Sequence, residues 1–174
     1  MSSLKTLVLG GIRSGKSALA EKMAAESAAP VLYLATATAG DGEMASRIEL
    51  HQQRRPEDWG LAEEPVSIAE VLDEQSRKES APSLLVDCMS LWLSNLLFAG
   101  DEIFQRERAA FLAGLAQYPG EIIIVSNEVG LGTVGMDPLT RRFCDELGLL
   151  NQDLARHCDR VVMSVAGLPM TLKG

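Results

Sequence analysis

The chain has 174 residues, enough for one domain that buries roughly 70% of its unfolded surface without a disulfide or metal staple. Hydrophobic residues make up 47% and charged residues 23%, an ordinary globular balance. Apolar runs such as Ile122–Val125 are too short to span a bilayer. Sixteen basic and twenty-four acidic residues give a net charge of −8, and aromatics are only 5%. That charge repels polyanions and so few rings offer no base-stacking platform, so nucleic acid is not an expected partner. Any bound phosphate must be held locally, against the global field. The N-terminal run turns polar and glycine-rich within a few residues, unlike a secretory signal. With three scattered cysteines (Cys88, Cys144 and Cys158), this gives a cytoplasmic expectation.

Neither repeats nor linkers divide residues 1–174, and short apolar runs alternate with helical patterns. Leu4–Leu9 is predicted as the first strand. A helix-forming run, Ala18–Ser27, follows it, and Val31–Ala35 is the second strand. Ile68, Val71 and Leu72 form a helical stripe before a third strand at Ser83–Asp87. Leu91, Trp92, Leu93, Leu96, Leu97 and Phe98 point nearly all round their axis, so that helix is a central core element or one covered by another subunit. Phe104, Phe111, Leu112 and Leu115 form the next stripe, and Tyr118-Pro119-Gly120 breaks the chain before a strand at Glu121–Ser126. Asp137 as N-cap and Pro138 at the first helical position open a helix carrying Leu139, Phe143, Leu147, Leu150 and Leu154. Arg160–Val165 is a further strand. Ala166-Gly167-Leu168-Pro169 is read as a turn into a short, antiparallel strand, Met170–Lys173. Alternating strands and helices predict an α/β fold with a mostly parallel sheet and helices on both faces.

Gly10-Gly11-Ile12-Arg13-Ser14-Gly15-Lys16-Ser17 fits G-x-x-x-x-G-K-[ST] between a strand and a helix, the context a phosphate-binding loop requires. Glycines let backbone N–H groups turn toward a phosphate, and the helix N-terminus adds its dipole. Lys16 reaches the β- and γ-phosphates, and Ser17 is a ligand for Mg²⁺. Asp87 ends an apolar strand at the carboxyl edge of the sheet. It is the expected carboxylate for the metal, with an alternative role as the cap of the next helix.

His51 is the residue that phosphoryl transfer alone does not need. Asp41 is positioned to cap a helix that Pro56 ends, and on it Arg47, His51 and Arg55 share one face. Neighbouring guanidinium groups keep the imidazole neutral and nucleophilic, and can hold phosphate oxygens. From spacing alone a solvated basic face is the preferred reading. Asn127 and Glu128 end a strand on the ligand edge, where they can orient an acceptor hydroxyl or take part in a turn. Gly130, Gly132 and Gly135 suit a loop that folds over substrate.

These motifs together resemble the bifunctional adenosylcobinamide kinase/adenosylcobinamide-phosphate guanylyltransferase family. They are Gly10–Ser17, Leu32-Tyr33-Leu34-Ala35-Thr36, Asp41, Glu43-Met44-Ala45, Arg47-Ile48, His51, Arg55-Pro56 before Trp59, Asn95-Leu96-Leu97-Phe98, Asn127-Glu128-Val129-Gly130 and Asn151-Gln152. The resemblance implies a RecA-like P-loop fold, a homotrimer with sites between subunits, and two reactions. ATP or GTP phosphorylates the aminopropanol hydroxyl of adenosylcobinamide. GMP then passes from GTP to adenosylcobinamide phosphate through a histidine, which here is His51. It also implies nucleotide contacts at Gly10, Gly11, Ile12, Arg13, Ser14, Gly15, Lys16, Ser17, Ala35, Thr36, Ala37, Gln52, Gln53, Arg54, Arg55, Glu63 and Asp87. Glu63 and Glu64 are adjacent, so either can match the acidic position that would read guanine. A small-metabolite kinase without guanylyl transfer, and a nucleotide-dependent switch, are the competing readings.

Overall fold

The computed structural model describes residues 3–37 and 56–174. Its strands are β1 (Lys5–Gly10), β2 (Val31–Ala35), β3 (Gly60–Glu63), β4 (Ser83–Asp87), β5 (Ile122–Asn127), β6 (Arg160–Val165) and β7 (Leu168–Lys173). The helices among the described residues are α1 (Lys16–Ala25), α2 (Ile68–Ser76), α3 (Met89–Ala99), α4 (Asp101–Gln117) and α5 (Pro138–His157). One sheet has the order β3-β2-β4-β5-β1-β6-β7. Every neighbouring pair is parallel except the terminal β6–β7 hairpin. The phosphate-loop strand β1 is therefore interior, and six strands send their carboxyl ends to one edge.

Strand alternation divides the core in two. Leu7, Leu9, Leu34, Leu84, Val86, Ile122 and Ile124 face α2–α5. Val8, Tyr33, Leu85, Ile123 and Val125 face the other way, where Ala20 and Ala24 let α1 approach closely. Helices thus cover both faces, but unequally among the described residues. The all-round apolar helix α3 proves central: Trp92, Leu93 and Leu96 are fully buried, while Phe98 at its end is 78% exposed. Trp92 packs edge-on against Phe111 (centroids 5.1 Å apart) and donates Nε1–H to the Val66 carbonyl (2.6 Å), so its one polar group is paired in the core. No helix of the described residues is long and apolar enough to cross a membrane.

Two strand predictions need correction. The predicted elements omit β3, a four-residue edge strand with three of its residues exposed, which lacks the apolar run that marks covered strands. The last strand begins two residues earlier than Met170. The turn is only Ala166-Gly167, with φ of 52° and 78°, the geometry of a two-residue type I′ hairpin. Pro169 is accepted within β7 because this is an edge strand. Asp137 caps α5 as predicted, accepting the Thr140 N–H at 2.8 Å, with Pro138 in the first turn.

Candidate active site

The phosphate loop takes its shape from close packing. A Cβ at Gly10 would lie 2.2 Å from Ser14 Oγ, so only glycine lets the loop fold back over the strand end. Arg13 (φ 52°) and Gly15 (φ 88°) are left-handed, which turns successive N–H groups inward. Gly15 is the N-cap of α1 and supplies no side-chain cap, so first-turn N–H groups remain to meet an anion. The Lys16 ammonium arches back to the Gly11 carbonyl at 3.1 Å. Ile12 and Arg13 have exposed side chains, so they shape the loop through their backbone.

The loop leans on a partner the sequence reading missed. The β6–β7 turn donates Gly167 N–H to the Ser14 carbonyl (2.8 Å), and Ser164 Oγ donates to the same oxygen (2.7 Å). A Cβ on Gly15 would meet Gly167 Cα at 3.0 Å. On the other side, Glu128 N–H bonds the Gly10 carbonyl at 3.0 Å. Only the predicted hairpin near Gly167 hinted at this; nothing in the sequence linked it to the loop.

Register brings the other predicted residues onto the same edge. Glu63 pairs with Ala35, Ala35 with Asp87, and Gly10 with Asn127. Asp87 Oδ2 accepts the hydroxyl of buried Tyr33 at 2.8 Å, which orients the carboxylate. The helix cap falls to Cys88, so the alternative role of Asp87 as a cap is not taken up. Burial, then the neighbouring Asp87 carboxylate, pushes the Cys88 thiol pKa up, which disfavours the thiolate.

Thr36 is fully buried, and its polar groups are spoken for within the chain. Its hydroxyl donates to the Cys88 carbonyl (2.8 Å) and accepts Cys88 N–H (2.9 Å). Its own N–H bonds the Asp87 carbonyl (3.1 Å). Asn95 Nδ2 donates to the carbonyls of Thr36 and Pro65 (both 3.0 Å). Thr36 therefore clamps the exit of β2 to that of β4 and positions Asp87; half-buried Ala37 follows it.

The adjacent acids separate cleanly. Glu64 Oε1 accepts the N–H groups of Val66 and Ser67, each at 2.8 Å, and so organises the entry to α2. Glu63 is exposed at the end of β3. Its strand lies four spacings from β1, about 19 Å at the usual strand separation, which suits the base end of an outstretched nucleotide. Asn151, buried in α5, accepts Ser126 Oγ (2.6 Å) and donates to the Asn127 carbonyl (3.0 Å), fixing the end of β5. Glu128 Oε1 accepts Gly130 N–H at 2.8 Å. His51, Gln52, Gln53, Arg54 and Arg55, with the predicted helix from Asp41 to Pro56, lie outside the described residues apart from Pro56 itself.

Comparison with known proteins decides the family. The family model described as CobU, cobinamide kinase/cobinamide phosphate guanyltransferase, matches residues 6–172. The chain belongs to this family. The bifunctional adenosylcobalamin biosynthesis protein CobP of Pseudomonas aeruginosa is 53% identical over 172 residues, covering 98% of each chain. The bifunctional adenosylcobalamin biosynthesis protein CobU of Escherichia coli is 36% identical over 183 residues, covering 96% of this chain and 98% of its own. Among solved structures, the ATPase EscN of the enteropathogenic E. coli type III secretion system has a TM-score of 0.57 at 10% identity, over 94% of this chain and 43% of its own. That likeness is one of fold alone. In this member of the CobU family β5 separates the loop strand β1 from the Asp87 strand β4.

Ser17 in the first turn of α1 and Asp87 at the end of β4 offer hydroxyl and carboxylate oxygens. Mg²⁺ commonly takes one or two such protein ligands, with phosphates and water completing its shell. Among the described residues there is no group of three or more His, Cys, Asp or Glu suited to a metal. A hydroxyl and a carboxylate are donors that fit Mg²⁺.

Proposed function

We propose that this chain phosphorylates the aminopropanol hydroxyl of adenosylcobinamide with ATP or GTP, then transfers GMP from GTP to the resulting phosphate. The observation that carries this is the phosphate cradle Gly10–Ser17, with its left-handed Gly15, in a chain of the cobinamide kinase/guanyltransferase family. In the first step the acceptor oxygen attacks the γ-phosphorus. The bond from that phosphorus to the bridging oxygen breaks, the nucleoside diphosphate leaves, and the alcohol proton passes to solvent. Lys16 and the loop N–H groups neutralise charge on the transferred group. Ser17 and Asp87 would hold Mg²⁺, which would supply further charge neutralisation on the phosphates.

In the second step an imidazole nitrogen of His51 attacks the α-phosphorus of GTP and pyrophosphate leaves from the cradle. The acceptor's phosphate oxygen then attacks the same phosphorus. The N–P bond breaks, His51 is restored and adenosylcobinamide-GDP is released. Gln52, Gln53, Arg54 and Arg55 adjoin that histidine, and the two guanidinium groups stabilise developing charge. Ala35 and Ala37 border the nucleotide, and Thr36, buried between them, acts by holding this segment in place. Glu63 accepts the guanine N1–H and 2-amino group, a role supported by the engagement of Glu64 with the backbone of Val66 and Ser67. The working form is a homotrimer with active sites between subunits. Its three free thiols suit a reducing cytoplasm.

GTP labelled at its α-phosphate tests this reading. An acid-labile, alkali-stable protein label, absent from His51→Ala, is the expected result. A chain that phosphorylates cobinamide but takes no label is a kinase only. One that binds GTP without either reaction is a switch.

A further inference from the structure

Beside the phosphate cradle lies a cavity of about 350 Å³ between α3, the end of β5 and the start of α5. Its polar lining among the described residues is Ser90, Ser94, Asn127 and Thr140, and none of the described residues that line it is charged. Ser90 and Ser94 are one helical turn apart and share a face of α3 with Phe98. From Ser90 to Phe98 the helix rises about 12 Å, so the cavity runs outward from the sheet edge. Its inner end adjoins the cradle: Asn127 is the register partner of Gly10, and the next residue's N–H bonds the Gly10 carbonyl. At its mouth Phe98 is 78% and Leu139 52% exposed, an apolar lip in contact with water.

A nucleotide phosphate would find no cation among the described residues of this lining. An uncharged alcohol would find hydroxyl and amide partners within, and a large apolar body could rest on the lip. The volume is at the low end for small-molecule sites, so it suits one arm of a substrate and not a macrocycle. We propose that this cavity seats the aminopropanol arm of the corrinoid acceptor, its hydroxyl at the Ser90–Asn127 end beside the phosphate loop and its ring against Phe98 and Leu139. The assignment rests on the functional reading above and adds to it the acceptor site.

Plugging the cavity tests the assignment. Ser94→Leu and Ser94→Trp fill it progressively from a position that touches no part of the phosphate loop. The expected result is a graded rise in KM for cobinamide in the kinase reaction, about tenfold or more for the tryptophan. Binding of a corrinoid lacking the aminopropanol arm is unchanged, as are acceptor-independent α-labelling by GTP and size-exclusion elution. The leucine variant keeps the test usable should tryptophan impair folding. Unchanged cobinamide KM in both variants overturns the assignment. So does equal weakening of the armless corrinoid, or an altered elution volume, which would mark the cavity as a contact with a second copy. A wild-type chain that does not phosphorylate cobinamide overturns the functional reading, and the cavity assignment with it.

Discussion

Replacing Thr36 by valine removes one hydroxyl at nearly constant shape, so the effect isolates the clamp between β2 and β4. The hydroxyl donates to the Cys88 carbonyl at 2.8 Å and accepts Cys88 N–H at 2.9 Å. The carbonyl keeps a second partner, Trp92 N–H at 3.2 Å; the Cys88 N–H is left buried and unpaired. Orphaning a buried donor costs about 1–3 kcal/mol, and the lost carbonyl bond adds about 1. The sum, about 2–4 kcal/mol, lowers Tm by roughly 4–16 °C in a domain of this size. Thr36→Ser keeps the hydroxyl and loses one methyl, so it costs only about 1 kcal/mol. Urea unfolding of both variants, followed by far-UV circular dichroism, measures the difference. Because the same clamp orients Asp87, kinase turnover falls in Thr36→Val even at temperatures where it is fully folded. If valine is as stable as serine, the hydroxyl bonds are not what join these strand ends, and the clamp reasoning fails.

Lys16→Met lowers kinase turnover about 10²–10³-fold. It shifts Tm by less than about 4 °C, since only the bond to the Gly11 carbonyl is lost; a calorimetric scan beside the kinase assay checks both. Gly15→Ala places a Cβ on a residue at φ 88°, 3.0 Å from Gly167 Cα. It costs about 1–3 kcal/mol and weakens GTP binding, read by thermal unfolding and equilibrium dialysis. Glu63→Gln removes the proposed guanine acceptor and lowers the preference for GTP over ATP in nucleotide binding about 10–100-fold. An unchanged preference would discard that role. Burial pushes both the Tyr118 hydroxyl and the Cys158 thiol to about 12, from ordinary values of 10 and 9. The unfolded chain releases these protons first, so stability is full below about pH 9 and falls as pH rises toward 12. Tyr118→Phe loses its bond to the Pro82 carbonyl (2.7 Å), costing about 1 kcal/mol, and flattens that alkaline decline. Urea midpoints across the alkaline range check the sign.

The sequence alone determined what rests on local chemistry. The loop Gly10–Ser17 is legible because its glycines, lysine and serine act through backbone freedom and charge at fixed spacing. The covered strands are legible because burial on both faces demands continuous apolar runs, and the start of α5 because Asp137 and Pro138 act on their own backbone. Tertiary structure alone decided what depends on neighbours distant in the chain. Ser164 and Gly167 buttress the phosphate loop from 150 or more residues away; Tyr33 orients Asp87 across two strands. Strand β3 carried no apolar signature because its edge is wet. That Glu64, and not Glu63, meets the N–H groups of Val66 and Ser67 at the entry to α2 is a property of three-dimensional register that no spacing of acids reveals.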